Sequence, residues 1–176
     1  MKLLKSIVET INKIHLPYAV FGGTAIKAYS PQRITSDIDM ITLPAALTQI
    51  ANAFDLAVMK DKYGQDKIEG SGFEVFGDLF IQTPAGIIEF QLDELMISRL
   101  EWICLDGFYF KTLSREDHIV LKAILRRTEE LGKQDVQDIQ VLAESPTFDR
   151  VYLNQRIDLT GSRGWTDELL VKMNIL

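Results

Sequence analysis

The chain has 176 residues, with 25 acidic and 19 basic side chains and a formal net charge of −6. That length suits one domain and lets folding bury roughly 70% of the unfolded surface, so no disulfide or metal staple is needed. The acidic balance excludes a simple basic nucleic-acid coat, and the single cysteine, Cys104, excludes an internal disulfide framework and a cysteine-rich zinc module.

Leu3, Leu4, Ile7, Val8, Ile11 and Ile14 recur at helical spacing. They predict an amphipathic opening helix rather than a signal peptide. The apolar runs are shorter than the ~18 residues a spanning helix needs, so no membrane partner and a cytoplasmic location are expected. Tyr18–Phe21 reads as a buried strand stopped by Gly22-Gly23, and Thr24–Tyr29 as a short helix closed by Ser30-Pro31. Ile38–Thr42 is a second strand, and Pro44–Phe54 a helix with proline in its first turn. Lys60–Gly72 is polar and contains glycine, as in a loop or irregular hairpin. Phe73–Phe76, Leu79–Thr83 and Ile87–Leu92 are expected as antiparallel strands, with Phe108–Thr112 one strand more.

From Ser114 the period becomes helical. Ser114 and Asp117 have capping-box spacing, and the helix is expected to reach about Leu131 and stop at Gly132. Asp135–Ala143 is a second helix, ended by Ser145-Pro146, and the tail is helical in part with a break near Gly161–Gly164. The order describes an α/β or α+β sheet with a helical C-terminal section. One domain is expected over 1–176, with its core at 18–112 and the helical section at 114–176. Cys104 is expected as a small buried hydrophobe, Trp102 and Trp165 as core anchors, and His15 and His118 in surface or capping roles.

The chemistry concentrates in Phe21-Gly22-Gly23-Thr24 and Arg33-Ile34-Thr35-Ser36-Asp37-Ile38-Asp39-Met40. Carboxylates at i and i+2 of a strand project from one face and repel each other unless a cation lies between them. Such a pair suits Mg2+, a hard ion that takes oxygen ligands. The two glycines leave backbone N–H groups accessible, and the following helix turns its positive end to the same place, which suits phosphate. Glu89, between Ile88 and Phe90, is the candidate third carboxylate, because an unpaired charge in an apolar strand is costly. Taken singly, each piece has a commonplace reading: a solvated turn, a simple glycine turn, a solvent-facing glutamate.

An apolar-Gly-Gly turn, thirteen intervening residues, Asp37-Ile38-Asp39-Met40 and then Ile88-Glu89-Phe90 together resemble the nucleotidyltransferase superfamily that includes DNA polymerase β. The resemblance implies a mixed β-sheet flanked by helices. It implies Asp37, Asp39 and Glu89 as ligands of Mg2+ or Mn2+ and as catalytic acids, with Glu89 activating an acceptor hydroxyl. Gly22, Gly23 and Thr24 would bind nucleotide. The superfamily often has Ser where this chain has Gly23.

Arg33-x-Thr35-x-Asp37-Ile38-Asp39, followed by Ser114, Lys122, Arg126, Lys133, Asp135 and Asp138, also resembles the small bacterial and archaeal nucleotidyltransferases grouped with AbiEii-type toxins. By that match Lys122 faces the triphosphate, Arg126 stands one turn on, and Asp138 is a supporting acid. Arg33 touches the triphosphate or braces its loop. The activity implied is transfer of a nucleoside monophosphate from an NTP such as ATP, with release of pyrophosphate. The acceptor would be a tRNA, a protein or a small molecule, and a toxin–antitoxin role, a partner protein or a homodimer is part of the resemblance. The rival reading is a non-catalytic nucleotide-binding or partner module on the same fold.

Overall fold

The helical stripe at the N-terminus becomes α1 (Lys2–Lys13), which buries Leu4, Ile7, Val8 and Ile11. A computed structural model describes residues 2–127 and 133–176. The described residues divide into two compact units, one built from 1–79 and 91–113, the other from 80–90 and 114–176.

The first unit carries a seven-stranded mixed sheet in the order β3-β4-β5-β2-β1-β9-β8. Its strands are β1 (Tyr18–Phe21), β2 (Ile38–Thr42), β3 (Val58–Lys60), β4 (Asp66–Gly70), β5 (Phe73–Phe76), β8 (Glu101–Leu105) and β9 (Phe108–Thr112). β2 runs antiparallel to β1 and parallel to β5. Strand alternation sends Val20, Met40, Ile68, Val75, Ile103 and Phe110 into one core with α1 and with α3 (Leu47–Ala53). Each fully buried aliphatic side chain there contributes about 1.5–3 kcal/mol. Asp39 lies between Ile38 and Met40, so the same alternation turns it to the opposite face. The helix α2 (Gly22–Tyr29) leaves β1 without an intervening loop.

Of the two alternatives for Lys60–Gly72, the structure takes the hairpin: β4 pairs antiparallel with β3 and with β5. Two other features of the first unit differ from expectation. A short helix α4 (Glu94–Ser98), capped by Asp93, and the strand β8 were not expected. The strands after Phe73 do not form one antiparallel run. β5 joins the seven-stranded sheet, while β6 (Asp78–Thr83) and β7 (Gly86–Gln91) form a separate two-stranded sheet. The break falls at Gly77, where a Cβ would lie 2.9 Å from the Pro44 Cα.

The second unit holds α5 (Arg115–Leu125), α6 (Asp135–Ala143), α7 (Arg150–Leu159) and α8 (Arg163–Lys172). Ser114 caps α5 as expected: its hydroxyl accepts the Asp117 N–H at 3.1 Å and donates to the Asp117 carboxylate at 2.6 Å. The helix ends at Leu125, not near 131, because Arg126 takes a left-handed conformation (φ 46°) and Arg127 turns to Asp135. The expected stop at Gly132 lies outside the described residues. Gly161, with φ 63°, makes the break between α7 and α8. Among the described residues, no helix is long and apolar enough to cross a membrane.

Candidate active site

In β2 the register pairs Asp39 with Phe21, the residue before Gly22. The backbone turns there at a φ of +68° for Gly22, a conformation that L side chains resist. A Cβ on Gly22 would stand 2.5 Å from Asp39 Oδ2. The glycine is therefore required twice, by its dihedral and by the carboxylate lying over it. Asp37 sits one residue before β2, exposed, and not on the strand as expected; Asp39 is half-buried.

Thr24 is buried, and its hydroxyl donates to the Asp37 carbonyl at 2.8 Å. It holds the aspartate loop rather than offering itself to a phosphate. Thr35 donates to the same carbonyl at 3.3 Å. Arg33 donates to the Ile34 carbonyl at 2.9 Å, which braces the loop that leads into Asp37.

Glu89 does not occupy the apolar setting expected of it. It is exposed on β7, and the buried residues of that strand are Ile88 and Phe90. Strand alternation inside an apolar-looking run puts it on the solvent side. Among the described residues, no group of three or more His, Cys, Asp and Glu side chains is placed to hold a metal.

Lys122 also departs from expectation. Its side chain is only 4% exposed, and its ammonium lies 2.9 Å from Asp135 and 2.6 Å from Asp138. The two aspartates are one helical turn apart on α6 and meet the same cation. Arg127 adds bonds from its backbone N–H and guanidinium to Asp135. Burial pushes the Asp135 carboxyl up, but Arg127 and Lys122 outweigh it and leave its pKa below the ordinary value. Arg126 lies over the Trp165 ring at 4.3 Å, with Glu168 at 3.7 Å. Both cations are engaged within the helical unit.

His118, Trp102 and Cys104 are placed differently from expectation, whereas His15 and Trp165 are placed as expected. His118 is fully buried on α5, where burial and the nearby Lys122 and Arg115 charges hold its pKa at about 3. Trp102 is 59% exposed and Cys104 is exposed, both on the solvent side of β8. His15 is exposed, and Trp165 is a half-buried anchor whose indole N–H donates to the Ile124 carbonyl at 2.8 Å. Sequence reasoning missed Glu74, which the register sets beside Asp39 and which Lys67 pairs. Glu69 pairs the same lysine, and the Glu69 and Glu74 bonds raise the Lys67 pKa. The only sequence signal was alternation in β4 and β5, and alternation does not choose a neighbouring strand.

Solved structures share this architecture. ANT(2'')-Ia, in a crystal structure with adenylyl-2''-tobramycin, matches with a TM-score of 0.60 at 14% identity, over 92% of this chain and 97% of that one. A candidate nucleotidyltransferase of Thermotoga maritima matches with a TM-score of 0.55 at 17% identity, over 74% and 87%. At such identities the likeness shows the fold. No curated protein matches the sequence significantly. The model of a family described as "Nucleotidyl transferase of unknown function (DUF2204)" matches residues 1–162. The chain belongs to that family and is, by family, a nucleotidyltransferase.

Proposed function

We propose that this nucleotidyltransferase uses a divalent metal, Mg2+ or Mn2+, held by Asp37 and Asp39. The observation that carries the reading is the Asp39 carboxylate lying over Gly22, in a space a Cβ would fill, with Asp37 two residues away. Two hard oxygen donors fit a metal that takes its remaining ligands from phosphates and water. The metal, when bound, supplies charge neutralisation for the triphosphate and for the leaving pyrophosphate.

The chain's own residues would do the following. Gly22 and Gly23, at the start of α2, let phosphate oxygens approach the backbone at the positive end of the helix. Arg33 braces the loop that carries Asp37. Glu89, assigned on the motif match, takes the proton from the acceptor hydroxyl. The acceptor oxygen then bonds to the α-phosphorus as the bond to pyrophosphate breaks, so phosphorus passes from one oxygen to another with no redox change. The acceptor class tested first is a small polyhydroxylated molecule, because ANT(2'')-Ia, similar in fold, was solved with an adenylylated tobramycin.

Calorimetric titration of each NTP, with and without Mg2+, into the wild type and D37N/D39N tests the site. Metal-dependent binding that the double variant loses is expected. D39A should abolish transfer from labelled NTP while leaving the melting temperature near that of the wild type. Transfer retained by D39A, or metal-independent binding equal in both proteins, overturns the assignment.

A further inference from the structure

We propose that Thr35 is a positioning residue for Asp37, and that residue 23 is glycine in order to admit it; the inference rests on the metal-dependent reading above. Asp37 stands just outside β2, where the ladder begins only at Ile38, whose N–H donates to the Gly72 carbonyl at 3.1 Å. That N–H and the Asp37 carbonyl belong to one planar peptide group, so the sheet holds the group at its nitrogen only. Two hydroxyls hold it at its oxygen, one from each side in the chain. Thr24 reaches it from α2 at 2.8 Å and Thr35 from the loop at 3.3 Å. A carbonyl oxygen has two lone pairs and can accept both. Holding that peptide fixes the direction in which the Asp37 side chain leaves the backbone toward the metal.

Gly23 is what lets Thr35 in. A Cβ there would lie 2.6 Å from Thr35 Oγ1 and 2.8 Å from Thr35 Cβ. Unlike Gly22, Gly23 has no positive φ, so its backbone conformation does not call for glycine. Glycine inside a helix is less favourable than alanine by roughly 0.5–1 kcal/mol. The chain thus keeps an unfavourable helix residue at the one position where a side chain would strike Thr35. The two residues form a complementary pair, twelve positions apart in sequence.

The test reads Mn2+ directly, by electron spin resonance of the free ion, with and without a non-hydrolysable NTP analogue. Melting temperatures accompany each titration. T35V removes the hydroxyl at nearly constant volume and should weaken Mn2+ binding about three- to tenfold, the size of one hydrogen bond. T35S should restore it. G23A should weaken binding through the clash, and G23A/T35G, which removes both Thr35 atoms that the new Cβ strikes, should bind no worse than T35G alone. Binding by T35V equal to wild type, failure of T35S to rescue, or additive losses in the double variant overturns the inference and leaves the site reading standing. Absence of Mn2+ binding in the wild type overturns both.

Discussion

At Gly22 one atom of side chain decides whether the site can exist. Alanine there meets both a left-handed φ of +68° and the Asp39 carboxylate at 2.5 Å. G22A should cost about 1–2 kcal/mol in stability from the backbone alone, and it should lower metal-dependent nucleotide binding more than tenfold by displacing Asp39. Urea denaturation and NTP titration separate the two effects; full binding by a folded G22A would remove the reason given for this glycine. The glycines and the Asp-x-Asp pair were legible in sequence because their order along the chain carries the signal. The bond from Thr24 to Asp37 spans thirteen positions, and the fit of Thr35 over Gly23 spans twelve. Neither follows from local pattern, so Thr24 read as a phosphate ligand and Thr35 drew no role of its own.

Among the elements, α5 and α6 show how burial reassigns a residue. Lys122 has the spacing of a phosphate-facing lysine, yet Asp135 and Asp138 enclose it. Removing one partner from a buried ion cluster is destabilising by about 3–5 kcal/mol, because the remaining charges lose their counter-ion. K122M should therefore lower the unfolding free energy by about that amount. A lysine serving only the triphosphate would instead leave stability unchanged and weaken nucleotide binding; denaturant melts and NTP titrations distinguish the two. The capping box at Ser114 and the strands β1, β2 and β9 were readable, since each is local. The parallel pairing of β2 with β5 was not. Strands 30 residues apart find each other through the whole sheet, and a two-residue period is silent on which strand lies alongside.

For the whole molecule, the buried His118 makes stability depend on pH. In the unfolded chain its imidazole takes a proton below about 6.5. In the folded chain it stays neutral down to about 3. The folded pKa is depressed, so this contribution is fully present above about pH 6.5 and falls as the pH drops toward 3. Between pH 7.5 and 5 the loss should be about 2 kcal/mol, at 1.36 kcal/mol per unit below 6.5. Urea melts across that range check it, and H118N should lack that part of the slope. A wild-type stability that is flat from pH 7.5 to 5 would place the imidazole in water. Asp135, whose pKa is also depressed, adds a second loss only below the ordinary carboxylate range.

Sequence alone determined the mixed αβ class, the opening helix, the glycine pair that ends β1, the aspartate pair and the helical C-terminal section. All of these rest on local periodicity, capping and spacing. Tertiary structure decided which side chains each of these meets. It put Asp39 against Gly22, gave Thr24 and Thr35 to the Asp37 carbonyl, enclosed Lys122, buried His118, and left Glu89, Trp102 and Cys104 exposed. The physical reason is that local pattern sets backbone conformation, whereas burial and partnership depend on strand register and helix packing between residues distant in the chain.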